Sequence, residues 1–110
     1  IIITIFLINQ RGKMKYAHLR CYTINKGQID SWLSLFQKII PVMSDAGITV
    51  ESYWVNEEKT QFIWIRSYGK EKESIAIAEK KFYESDWWKE NVDIVRGHIA
   101  HREFKLIYSV

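Results

Sequence analysis

Residues 48–68 read ITVESYWVNEEKTQFIWIRSY, two runs rich in β-branched and aromatic residues on either side of the polar stretch Asn56-Glu57-Glu58-Lys59-Thr60. Side chains of these types fit a pleated, half-buried surface, and a short polar link between two such runs marks an antiparallel hairpin. Ile48 to Val55 and Phe62 to Tyr68 are therefore read as two paired strands, and the rest of the chain is organised around them. Upstream, apolar residues recur at Ile29, Trp32, Leu33, Phe36, Ile39, Ile40 and Met43, the stripe of an amphipathic helix that stops at Gly47. Pro41 lacks an N–H and is expected to kink or break that helix. Earlier still, Tyr16 to Ile24 alternates small or aliphatic residues with larger polar and aromatic ones, the period of a strand.

Downstream of the hairpin, Glu71 to Glu84 reads as a helix with Ile75, Ala78 and Phe82 facing inward. Asp86 to Val95 reads as a further helical segment with Ser85 or Asp86 as its N-cap, and Gly97 releases the chain into a last strand, His98 to Tyr108. The order is βαββαβ. It predicts an α+β, ferredoxin-like fold: a four-stranded antiparallel sheet with the two main helices on one face.

Composition agrees with one folded domain. A chain of 110 residues supports one core, and 47% apolar with 26% charged residues is the balance of a globular protein. The net charge of +3 is mild, and acids and bases are interspersed from Lys70 to Lys89, which argues against nucleic acid as a partner. Cys21 stands alone, so no intramolecular disulfide forms; this favours a reducing, cytoplasmic setting, with Cys21 read as a buried small hydrophobe. The apolar run Ile1 to Ile8 is too short to span a bilayer, and no membrane association is expected. Because the strand pattern opens just after Met14, residues 1–13 are read as a non-native extension from a mispredicted start and 14–110 as the domain. The alternative for Ile1 to Ile8 is an extra edge strand.

Aromatic residues make up 15% of the chain, more than a core of this size usually needs. Alternation places His18, Arg20 and Tyr22 on one face of the first strand and Phe62, Trp64, Arg66 and Tyr68 on one face of the third, with Trp54 assigned to the same face from the second. The aliphatic set, Leu19 and Cys21 with Ile63 and Ile65, is expected to lie under the helices, which leaves the bulky set on an open face. Five aromatic side chains there would expose on the order of 800 Å² of apolar surface, so that face needs a cover. A second copy of the same sheet is the preferred one, because isologous pairing covers both copies at once, and a small ligand between the sheets is compatible with it. RNA is disfavoured: Ile5-Phe6-Leu7-Ile8-Asn9 faintly resembles the first signature of RNA-recognition motifs, but Gln61 to Tyr68 lacks the second.

With these elements in place, the chain resembles the NIPSNAP domains of the dimeric α+β barrel superfamily. The matching features are Leu19-Arg20-x-Tyr22 with Gly27 six residues after Cys21, the Gly47-Ile48 helix exit, Tyr53-Trp54, Phe62-Ile63-Trp64-Ile65-Arg66 and Phe82-Tyr83-Glu84-Ser85-Asp86-x-Trp88, together running from Lys15 to Ile107. The resemblance implies a homodimeric barrel and little chemistry, since members share no one activity. It also points to related barrels that are cofactor-independent monooxygenases or haem-degrading enzymes. The helix histidine of the haem-degrading type has no counterpart between Glu71 and Glu84.

Candidate site residues follow from the same face. Tyr22, Trp54, Phe62, Trp64, Arg66, Tyr68 and His101 are the expected ligand contacts. His18, Arg20, Tyr22 and Arg66 are the candidates for chemistry, the arginines holding an anionic or enolate group and the others moving protons. The competing reading is that both arginines pair with acids such as Glu51 or Glu103 across the dimer interface and stack on Trp or Tyr. His18 is expected to approach His98 or His101, but no third ligand accompanies them, so no metal and no cofactor is expected. Trp32 and the Trp87-Trp88 pair are read as packing residues. The function read from the sequence is a barrel that binds a small apolar or aromatic compound or serves as an interaction module, with a cofactor-independent monooxygenase acting on a small aromatic or polyketide-like substrate as the alternative.

Overall fold

The computed structural model describes residues 14–110, so the expectation that residues 1–13 are foreign lies outside the described residues. Seven elements follow one another: β1 (Tyr16–Ile24), α1 (Ile29–Asp45), β2 (Thr49–Val55), β3 (Gln61–Gly69), α2 (Glu73–Tyr83), α3 (Asp86–Gly97) and β4 (Ile99–Tyr108). The strands form one sheet in the order β2-β3-β1-β4 with every neighbouring pair antiparallel. This is the ferredoxin-like α+β arrangement that the sequence pattern predicts.

Local chemistry fixes the connections. In the hairpin, Asn56 Oδ1 accepts from the backbone N–H of Thr60 and of Gln61, both at 2.8 Å, so one side chain closes the turn. Gly47 takes φ +91°, the left-handed conformation that turns the chain from α1 into β2 without a Cβ penalty. Ser85 is the N-cap of α3, its hydroxyl accepting from Trp88 N–H. Helix α1 runs unbroken through Pro41, so of the kink or break expected there the break does not occur. Pro41 and Gln37 are both exposed, so the proline ring projects outward and the Gln37 carbonyl that loses its helical donor faces solvent.

The two faces of the sheet are the reverse of the sequence expectation. Helices cover the bulky face: Trp32 and Phe36 of α1 meet Tyr22, Phe62 and Trp64 at ring-centroid distances of 4.6 to 5.9 Å, and Phe82 of α2 joins the same core. Leu19, Cys21, Ile63 and Ile65 lie on the opposite face, which no helix among the described residues covers, and are only half-buried; Cys21 is thus not a core residue. Trp54 pairs with Ile63 and belongs to that open face, whereas its neighbour Tyr53 pairs with Trp64 on the helix side. The physical reason is volume. The apolar stripe of α1 is itself built of large residues, and the rings of the aromatic face interlock with Trp32 and Phe36 edge to face.

Candidate functional site

Between the helices and the sheet a narrow cleft, with room inside for about two water molecules, penetrates the core. Tyr22 of β1 and Trp64 and Arg66 of β3 form its floor, Trp32 and Phe36 of α1 and Tyr83 of α2 its walls, and Trp88 and Arg96 of α3 with Arg102 of β4 its rim. The cleft opens into an outer hollow that shares Tyr83, Trp88, Arg96 and Arg102 and adds Arg20, Glu79 and Phe104. Strand register explains this composition. Arg102 sits opposite Tyr22 and Phe104 opposite Arg20, so β4 extends the helix-side face of β1 beyond the helices. Phe104 remains 60% exposed there.

Arg66 is the anchor of a polar chain through the core. Its Nε donates to the Tyr68 hydroxyl at 2.6 Å, and its outer nitrogen reaches the Tyr83 hydroxyl at 3.2 Å and Glu79 at 3.4 Å. Tyr68 in turn lies 2.8 Å from His18 Nδ1. A guanidinium only donates, so the Tyr68 oxygen accepts from Arg66 and its own proton points to His18. That assigns His18 as the neutral Nε2–H tautomer with Nδ1 as acceptor. Burial, reinforced by the charges of Arg20 and Arg66, lowers the His18 pKa to about 4, which keeps the ring neutral at physiological pH. Burial likewise raises Tyr68 to about 12, although Arg66 pulls the other way.

Arg20 is a different case. It is 4% exposed, donates to the Tyr22 hydroxyl at 2.9 Å and stands 4.7 Å from the Phe104 ring, and its Nε has no acceptor. Two further buried donors without an acceptor, the indole N–H groups of Trp32 and Trp64, belong to residues that line the cleft.

Of the residues expected from the sequence, the structure brings Tyr22, Trp64 and Arg66 to the cleft and Arg20 to the outer hollow. His18 and Tyr68 connect to them through hydrogen bonds, and Phe62 is buried behind them. Trp54 and His101 are elsewhere: Trp54 is on the open face, and His101, opposite Thr23, is exposed beside Glu103. The expected histidine pair does not form. His98 instead contacts Ser31 and the Ile94 carbonyl at the end of α3. Among the described residues of one chain, Glu51 holds Lys15 and Ser67, Glu103 lies beside His101, and the acid beside Arg66 is Glu79. Trp32 and Trp88, read as packing residues, also line the cleft. Arg96, Arg102, Glu79 and Tyr83 were not singled out; the alternation of β4 relative to β1 is the signal that could have found Arg102. Among the described residues no group of three His, Cys, Asp or Glu side chains is placed to hold a metal ion, and no helix is long and apolar enough to cross a membrane.

No protein-family model matches the chain, and no curated protein matches it. Solved structures do. A NIPSNAP family protein from Agrobacterium tumefaciens is 20% identical, with 86% of this chain and 90% of that chain covered at a TM-score of 0.75. A second from the same organism, of unknown function, is 15% identical over 87% of this chain and 88% of that chain, with a TM-score of 0.78. A putative antibiotic biosynthesis monooxygenase from Nitrosomonas europaea is 13% identical over 90% and 92% of the two chains, with a TM-score of 0.68. The protein thus has the fold of NIPSNAP domains, the resemblance read from its sequence, and shares it with monooxygenase-type proteins.

Proposed function

We propose that this protein binds a small aromatic or apolar molecule in the outer hollow and the mouth of the cleft between its sheet and helices, and that it does so as a homodimer joined through the open sheet face. The observation that carries the reading is the floor and wall of the cleft, where Tyr22, Trp64 and Trp32 combine ring surface with two buried indole N–H groups that no protein acceptor satisfies. A buried donor without a partner costs roughly 1–3 kcal/mol, and a ligand oxygen would recover that. Aromatic walls with a few polar groups are the usual composition of a small-molecule site.

Native mass spectrometry of the full chain, purified without added ligand, tests this reading. A dimer carrying extra mass that is released on denaturation is the expected result. A monomer without added mass, in a preparation that also fails to take up aromatic compounds, would refute it and leave the interaction-module reading.

One observation favours the enzyme alternative. The chain Arg66–Tyr68–His18 links a fixed cation to a neutral imidazole through a hydroxyl, an arrangement able to pass a proton along hydrogen bonds while Arg66 holds an oxyanion. A monooxygenase-type neighbour on the same fold agrees with such use.

A further inference from the structure

The charges around the outer hollow do not balance. Arg20, Arg96 and Arg102 line it together with Glu79, the hollow's one carboxylate, and Glu79 is the acid beside Arg66 of the cleft floor. Among the described residues the ion pairs are Lys15 with Glu51, Arg66 with Glu79 and His101 with Glu103, so no carboxylate lies within salt-bridge distance of Arg20, Arg96 or Arg102. Residues 1–13 contain neither Asp nor Glu and cannot supply one. Exposed arginines tolerate this, and Arg96 rests against the Trp88 ring. Arg20 does not belong to that group: it is 4% exposed, and one of its donors is orphaned. A buried guanidinium with no counter-charge is among the costliest features a small fold can carry, and proteins place one where something else brings the negative charge.

We infer that the ligand is a small aromatic acid whose carboxylate is held between Arg20 and Arg102 while its ring lies in the outer hollow, at the mouth of the cleft, against Trp88 and Phe104. Arg20 and Arg102 are diagonal neighbours on one face of β1 and β4, close enough for one planar anion to meet both guanidinium forks. The inference deepens the binding function proposed above and rests on it. It adds the ligand's charge, which the aromatic lining alone does not specify. Every unpartnered buried side-chain polar atom among the described residues (Arg20 Nε and the indole nitrogens of Trp32 and Trp64) is a donor, so the complement is a ligand of acceptors only.

Calorimetric titration of the full chain at neutral pH with 2-naphthoate and with its uncharged analogue 2-naphthamide tests the inference. 2-Naphthoate should bind at least about tenfold more tightly, and rising salt should erode the difference. Arg20→Met should reduce the discrimination to what Arg102 alone supplies, and the unliganded variant should melt no lower than the parent because an unpaired buried charge has been removed. Equal affinities for the two compounds would overturn the inference and leave the aromatic site standing. Binding of neither would overturn both. If unliganded Arg20→Met melts well below the parent, Arg20 is satisfied within the assembly and the anion role is wrong.

Discussion

His18 is the residue whose environment is most readily converted into a measurement. It is 6% exposed and its pKa lies near 4, against 6.5 in the unfolded chain. The unfolded state therefore takes up a proton between these values while the folded state does not. Stability contributed by His18 is constant above pH 6.5 and declines as pH falls toward 4, by up to about 3 kcal/mol. Denaturant titrations at pH 7 and pH 4.5 should show this loss, and His18→Gln, which keeps an acceptor for Tyr68 but does not titrate, should lose less. An equal loss in both proteins would contradict the assignment. The sequence made His18, Arg20 and Arg66 visible as a set, because period-two alternation puts them on one side. It did not show that they are buried, since charged residues on a strand are normally read as facing water and nothing local reveals a hydrogen-bond partner fifty residues away in Tyr68.

At the scale of elements, alternation and turn residues carried most of the fold. The hairpin, the helix stripe of α1 and the Ser85 cap are all local signals, and each element formed where its signal lay. Which face of the sheet the helices would choose was not local. It depends on matching the volume of Trp32 and Phe36 to one of two candidate surfaces, and both phases of β1 and β3 are apolar enough to qualify. Pro41 shows the reverse situation, a strong local signal overridden by its context. Ile39 and Met43 are buried on the core side of α1 and hold the helix together around an exposed proline. The missing hydrogen bond should still cost stability, so Pro41→Ala is expected to stabilise the protein by up to about 3 kcal/mol, measured as a raised denaturation midpoint with an unchanged slope. A lower midpoint would show that the helix relies on the proline's restricted backbone.

For the molecule as a whole, the open face replaces the aromatic one as the surface that needs a partner. Leu19, Ile63, Ile65 and Trp54 lie on it, and Trp54 is 66% exposed. A four-stranded sheet of strands seven to ten residues long presents roughly 550 Å² per copy, so a face-to-face pair buries about 1,100 Å², near the lower end of stable interfaces. The self-pairing proposal therefore moves to this face, with aliphatic residues proposed for the role first given to the aromatics. Ile65→Glu, which places a charge in the middle of that surface, should convert a dimer into a monomer in sedimentation velocity while leaving the circular dichroism spectrum intact. Unchanged sedimentation would mean that the open face is not the interface.

The same reversal supplies the most direct test of where the ligand goes, because the five tryptophans are divided between the two surfaces: Trp32, Trp64 and Trp88 line the cleft, Trp54 stands on the open face, and Trp87 lies outside the cleft lining. Each indole N–H gives its own signal in a proton–nitrogen correlation spectrum, assignable by single substitution. Titration with 2-naphthoate is predicted to move the Trp88 signal most and to leave Trp54 in place. A spectrum in which Trp54 moves and the cleft tryptophans do not would put the ligand on the open sheet and contradict the account.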